Sequence, residues 1–220
     1  MTPRDATQVL ALLDDTAAAA ALIEVSSALA RALRRDLELV YVESERALVA
    51  AALPITQVLA GAGRRWQPLQ PGDVEQGFRA QAARLREMAE RVALRDALRC
   101  SLRVVRGSFA GTAAELHARC DLLLLGGAAP ALPAQGGARV RRRLVTLLCE
   151  ADAPPPRVAQ VGQALAQALA ADVMTARLPQ LPGGAGAADA LQRCDVLVCA
   201  RWPLDADALA RLRCPVLLVA

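Results

Sequence analysis

RCDLLLLGG (residues 119–127) and RCDVLVCAR (residues 193–201) are near copies of one another, 74 residues apart. Each passes from Arg-Cys-Asp straight into a run of apolar residues, the pattern of a strand buried on both faces. A chain that writes such a unit twice predicts an internal duplication, so the flanking sequence should echo as well. It does. VLALLDDTA (9–17) is answered by LVTLLCEAD (144–152), with Leu12 and Leu13 matching Leu147 and Leu148 at an offset of 135. ALARALRRDL (28–37) is answered by ALAQALAADV (164–173) at an offset of 136, and AAELHARCDLLL (113–124) by ADALQRCDVLV (188–198).

Between these landmarks the first copy reads as alternating strands and helices. QVLALLDD (8–15) is a buried strand, and Asp15 or Thr16 is placed to cap the helix that follows. Leu22, Val25, Leu29 and Leu33 then fall on one face of an amphipathic helix, and DLELVYVES (36–44) is the second strand. Strand, helix and strand in so short a span predict a right-handed crossover and parallel pairing. Helical spacing returns over 75–98, with Phe78, Ala82, Leu85, Met88 and Val92 on one face, and Glu87 and Arg91 spaced for an ion pair. SLRVVRG (101–107) is the third strand, TAAE (112–115) has the form of a capping box, and DLLLLGG (121–127) is the fourth strand.

Residues 45–74 interrupt this rhythm with three Pro, three Gly and one of the chain's two Trp. The simplest expectation is a surface excursion folded over the end of the sheet. The functional alternative is a lid or partner-docking segment anchored by Trp66. The second copy contains nothing that matches the excursion or the 75–98 helix. It ends instead in DADALARLRCPVLLVA, a short helix and a strand without a counterpart in the first copy. Residues 1–138 and 139–220 are therefore expected to be two repeats, each completing the other. The fold class predicted is α/β, a Rossmann-like parallel-sheet sandwich with the repeats packed as a pseudo-dimer.

These elements resemble the universal stress protein family, whose repeat runs strand ending in Asp, helix, strand, long helical excursion, V-x-x-G strand, helix, D-L-I-V-x-G and a final C-P-V-L-V-V strand. The matching stretches are LALLDD, SSALARALRRDLELVYV, VVRG, AELHARCDLLLLGG and, from the second copy, RCPVLLVA. The resemblance implies an α/β sandwich around a five-stranded parallel sheet, of the adenine nucleotide alpha hydrolase-like type. It also implies that a nucleotide would lie at the carboxyl ends of the strands, near Asp14, Val42, Gly126, Gly127 and Gly137. The family's phosphate loop, G-x-x-G-x9-G-[S/T], is however degenerate here. Ala129 or Pro130 stands where its second glycine is expected, Ala138 follows Gly137, and Pro130 and Pro133 remove amide donors. In the second copy CARWPLDADAL replaces the loop, and Asp205 and Asp207 occupy phosphate ground.

Composition narrows the remaining classes. Aromatic residues are only 2%, which argues against a stacking platform for single-stranded nucleic acid. The net charge is +4, but all 26 basic residues are Arg, and together with the abundance of Ala this reads as coding bias and not as a nucleic-acid surface. The segment RVRRR (139–143) is expected to be a solvated junction. No apolar run reaches the ~18 residues of a membrane span. The six Cys contain no C-x-x-C pair and are read as reduced, buried thiols, which together with the absence of a leader points to the cytoplasm. His117, the single histidine, has no triad partners in evidence and is expected to be structural.

The function expected is non-catalytic: a stress-response or regulatory protein acting through protein contacts, with a protein partner, a homodimer as an open option, and no nucleic-acid or membrane partner. No cofactor is expected. The first alternative is an ATP- or AMP-binding sensor that uses the first repeat. The second is a nucleotide-dependent enzyme of similar topology, disfavoured because LLDDTAAAA contains no glycine.

Overall fold

The computed structural model describes residues 8–14, 19–60, 65–126, 143–151, 153–177, 194–200 and 214–220. The caps proposed at Asp15 and Thr16, the linker 128–138 with Gly137, most of RVRRR, the short helix expected in DADALARLRCPVLLVA and the residues Gly127, Asp205 and Asp207 lie outside them.

The first copy supplies β1 (Gln8–Leu13), α1 (Ala19–Leu33), β2 (Asp36–Ser44), α2 (Glu45–Ala51), the hairpin β3 (Gln57–Ala60) and β4 (Arg65–Pro68), α3 (Pro71–Asp96), β5 (Cys100–Gly107), α4 (Phe109–Arg119) and β6 (Leu122–Leu125). The second supplies β7 (Leu144–Cys149), α5 (Pro156–Leu169), β8 (Asp172–Arg177), β9 (Val196–Cys199) and β10 (Val216–Val219). Eight strands form one sheet in the order β5-β2-β1-β6-β10-β9-β7-β8. Pairing is parallel throughout except where β10 meets β6 antiparallel, Val216 beside Leu125 and Val219 beside Leu122. The sheet is thus two parallel four-stranded halves pointing in opposite directions, fused through the last strand. That differs from the five-stranded parallel sheet implied by the resemblance, because the edge of β6 takes its neighbour from the other half.

Backbone register sharpens the duplication. Gln8 pairs with Asp36 and Leu144 with Asp172, so β1–β2 superimposes on β7–β8 at a constant offset of 136. The offset of 135 read from the Leu pairs is one residue short. Leu13 corresponds to Cys149, and Asp14 to Glu150. The helix ends obey the same rule. Arg34 and Ala170 both adopt left-handed φ, 54° and 51°, and the next amide in each case reaches back to a carbonyl of the last turn, Arg35 to Ala30 at 2.9 Å and Ala171 to Ala166 at 2.8 Å.

One face of the sheet is covered by α1, α3 and α5, which enclose a core including Leu22, Leu29, Leu39, Leu85, Leu147 and Leu165. The opposite face carries Leu12, Val42, Leu116, Leu123, Leu197 and Leu218 with Cys120, Cys194, Cys199 and Cys214. Helices α1 and α5 pack against each other across the β6–β10 junction. Exposed Arg143 reaches Glu24 at 2.9 Å across the same seam, and Arg157 reaches the buried carboxylate of Asp121 at 2.7 Å.

Three local expectations are corrected. The 45–74 excursion contains α2, a hairpin and the first residues of α3, so the helix expected over 75–98 begins earlier, at Pro71, because proline suits a first helical turn. Helix α4 begins at Phe109, capped by the Ser108 hydroxyl accepting from the Gly111 amide at 3.1 Å, so Thr112 lies in its second turn. Arg91 donates to the backbone carbonyl of Glu87 at 3.3 Å, and the carboxylate pair at that spacing is Glu75–Arg79 at 3.2 Å.

Candidate functional site

In an open parallel sheet the ligand position is the carboxyl edge of the strands, where side chains from successive loops converge. Asp14 stands one residue past β1. Val42 is level with it, since Leu13 pairs with Tyr41. Gly126 follows β6, whose Leu125 pairs with Leu12. The structure therefore brings Asp14, Val42 and Gly126 to one edge on three adjacent strands.

Their environments are those of a packed sheet end. Val42 is buried, in the core cluster against which Val105, Phe109 and Ala113 pack. The Gly126 amide donates to the Leu12 carbonyl at 3.4 Å, which spends it on the ladder. A Cβ at Gly126 would meet only Leu22 and the Leu12 carbonyl at ordinary contact distance, so neither packing nor backbone conformation demands glycine there. Asp14 is half-buried. Farther along this edge a cleft of about 140 Å³ opens between β2, β5 and α3, lined by Glu43, Glu75, Phe78, Arg79 and Arg106. Its charges pair among themselves, Arg106 with Glu43 at 3.2 Å and Arg79 with Glu75 at 3.2 Å, so no uncompensated charge faces a ligand.

The equivalent edge of the second half points the other way and is built differently. Glu150, the counterpart of Asp14, is exposed. Helix α5 begins at Pro156 after Pro154 and Pro155, with no side-chain cap on its N-terminus. Three consecutive prolines withhold the amides that would make such a terminus an anion site. Arg157 in its first turn is turned to Asp121 of the first half, beside which the Ala220 amide donates to the Asp121 carbonyl at 2.9 Å. Arg35 stands 4.0 Å from the same carboxylate. In the second half, the carboxyl edge is a structural latch to the first. His117 is half-buried in the last turn of α4.

Two further features stand out, the first in the segment whose expected docking anchor is Trp66. Exposed apolar side chains concentrate in the inserted segment: Val49, Leu53, Ile55, Val58 and Trp66 are five of the eight large exposed hydrophobics among the described residues, with Trp66 68% exposed. On the α4 face, Cys194 and Cys214 place their sulfurs 3.6 Å apart. None of the six Cys is in a disulfide. Burial pushes the thiols of Cys100 to about 11 and Cys199 to about 12. Among the described residues no group of three or more His, Cys, Asp or Glu side chains is placed to hold a metal ion, and no helix is long and apolar enough to cross a membrane.

No family model matches the chain, and no curated protein matches it. Among solved structures, the chain is similar to MurG of Acinetobacter baumannii at 12% identity, over 87% of this chain and 72% of that one, with a TM-score of 0.20. A likeness that slight carries no argument.

Proposed function

We propose that this chain is a non-catalytic regulatory protein of the universal stress protein type, which works through protein contacts and has weak or lost nucleotide binding. The observation that carries the reading is the run of exposed apolar side chains from α2 through the β3–β4 hairpin. They lie in a stretch without a match in the second repeat, so they are not needed to build a repeat. This short segment exposes Trp66, Ile55 and Leu53, and exposed Trp is the residue type most enriched at interaction hot spots. The carboxyl edge supports the second clause, because Gly126 gives its amide to Leu12 and Val42 is buried in the core.

Calorimetric titration of the full chain with ATP and AMP tests this reading. Flat titrations into the millimolar range are expected, with Asp14→Ala indistinguishable from the parent. Micromolar binding lost on Asp14→Ala would establish the sensor alternative. In parallel, Trp66→Ala should leave stability within about 0.5 kcal/mol, as for an exposed side chain, and should abolish capture of whatever protein the parent retains.

A further inference from the structure

Strand β7 carries a residue that its sequence context does not explain. Within LVTLLC, Thr146 is fully buried, and its hydroxyl finds no hydrogen-bond partner. Its counterpart in the first repeat, by the 136-residue offset, is Leu10 on β1. A buried hydroxyl without a partner costs stability, so a polar residue in this place calls for a reason. On the same face stand Cys194 and Cys214, which precede β9 and β10, with sulfurs in contact at 3.6 Å.

The two cysteines are held by neighbouring parallel strands. Val216 pairs with Leu197, which puts Cys214 within one residue of level with Cys194, and the Leu197 amide donates to the Pro215 carbonyl at 2.9 Å. Adjacent strands run ~4.8 Å apart, close to the Cα separation a disulfide requires, so the sulfurs can bond with little backbone movement. We propose that Cys194 and Cys214 form a reversible disulfide, with Thr146 positioning and stabilising the attacking sulfur of Cys194, and that peroxide is the oxidant class.

The two sulfurs are not equivalent. Cys194 is 6% exposed and Cys214 1%, so an oxidant meets Cys194 first. A hydrogen bond from the Cys214 thiol favours the Cys194 thiolate and lowers its pKa, and the Thr146 hydroxyl, unbonded while Cys194 is a neutral thiol, favours the thiolate too, while the pKa of Cys214 is raised. The Cys194 thiolate attacks one peroxide oxygen, the O–O bond breaks, and hydroxide leaves, giving a sulfenic acid. The Cys214 sulfur then attacks the Cys194 sulfur. The S–O bond breaks and the oxygen leaves as water, taking up the Cys214 proton. In sum, two thiols and one hydrogen peroxide give one disulfide and two waters, and a reducing dithiol reverses the change. Because β10 is the strand that joins the halves, the bridge would fasten that strand to β9.

The test uses the full chain. It is exposed to hydrogen peroxide, denatured, alkylated with a maleimide and digested with trypsin. The account predicts that alkylatable thiols fall from six to four and that dithiothreitol restores them. Peptide Cys194–Arg201 should appear linked to Cys214–Ala220, with fragment ions placing the bridge on Cys194 and not on Cys199. Cys214→Ser should leave a Cys194 sulfenic acid that dimedone traps. Thr146→Val, which keeps the shape and removes the hydroxyl, should slow bridging about tenfold, the effect of losing a hydrogen bond to a charged atom. Half-buried Cys100 is the internal control. Its oxidation while Cys194 and Cys214 stay alkylatable would overturn the proposal, as would a bridge elsewhere or between chains. An unchanged rate in Thr146→Val would overturn the role given to that residue.

Discussion

At the scale of single residues the two repeats show how one backbone is kept while its packing is rewritten. Helix α5 crosses β7 at Gly162, where a Cβ would collide with the Leu147 side chain. The corresponding residues of the first repeat are Ser26 and Ala11, both fully buried. Bulk has moved from the helix to the strand, and the close approach persists because the pair exchanged volume together. Gly162→Ala and Leu147→Ala should therefore be strongly coupled. Gly162→Ala alone forces Leu147 off its position, whereas in the Leu147→Ala background it fills space. A double-mutant cycle by denaturant unfolding is expected to give a coupling energy of about 1–3 kcal/mol, and additivity would contradict the exchange. The left-handed residues Arg34, Ala97 and Ala170 give a second prediction. Each carries a Cβ in a conformation that costs about 1–2 kcal/mol outside glycine. Replacing any one by Gly should raise unfolding free energy by about 0.5–1 kcal/mol after the added chain entropy of glycine is deducted.

At the scale of elements, long periodic segments were legible in the sequence and inserted ones were not. The spacing of Leu22, Val25, Leu29 and Leu33 announces α1, and the apolar run from Val9 to Leu13 announces β1, because burial on one helix face or on both strand faces leaves a periodic trace. The β3–β4 hairpin left none: its strands span four residues each and belong to a separate two-stranded sheet with Val58 and Trp66 exposed. Pro71, counted with the prolines that interrupt the rhythm, opens a 26-residue helix. The carboxyl-edge residues Asp14, Val42 and Gly126 were legible because strand ends carry fixed signatures. The contact of Cys194 with Cys214 depends on the register of β9 against β10 across the one connection between them, which no local pattern encodes. Helix α3 offers a pH prediction. Asp96, its last residue, is nearly buried and bonded by Arg95 at 2.8 Å, with Arg31 at 3.7 Å. The Arg95 hydrogen bond, helped by Ser27 and Arg31, holds the carboxyl below its ordinary value. A depressed carboxyl stabilises the fold in full above its unfolded pKa of about 3.9 and loses that contribution as pH falls through the folded value. Asp96→Asn should thus cost about 1 kcal/mol at neutral pH, and the difference from the parent should vanish in acid unfolding curves below that window.

At the scale of the whole molecule, the duplication explains why neither half is built to stand alone. The first half ends its sheet at β6 with an open ladder edge, and an unpaired edge of this kind is a liability in a protein on its own. Strand β10 closes it, and α1 against α5, Arg157 on Asp121 and Arg143 on Glu24 repeat the connection on other levels. The sequence showed two copies and a surplus strand. It did not show that the surplus strand would run antiparallel into the first copy, since direction follows from the pseudo-twofold relation of the halves. Cooperativity across the β6–β10 seam is the central physical claim, and native-state hydrogen exchange measures it most directly. The account predicts that the amides of Leu122–Leu125 and Val216–Val219 exchange with one free energy, equal to that of β1 and to global unfolding. If β7 to β10 instead open together at a distinctly lower free energy while β1, β2 and β6 stay protected, the halves are separate units that merely touch.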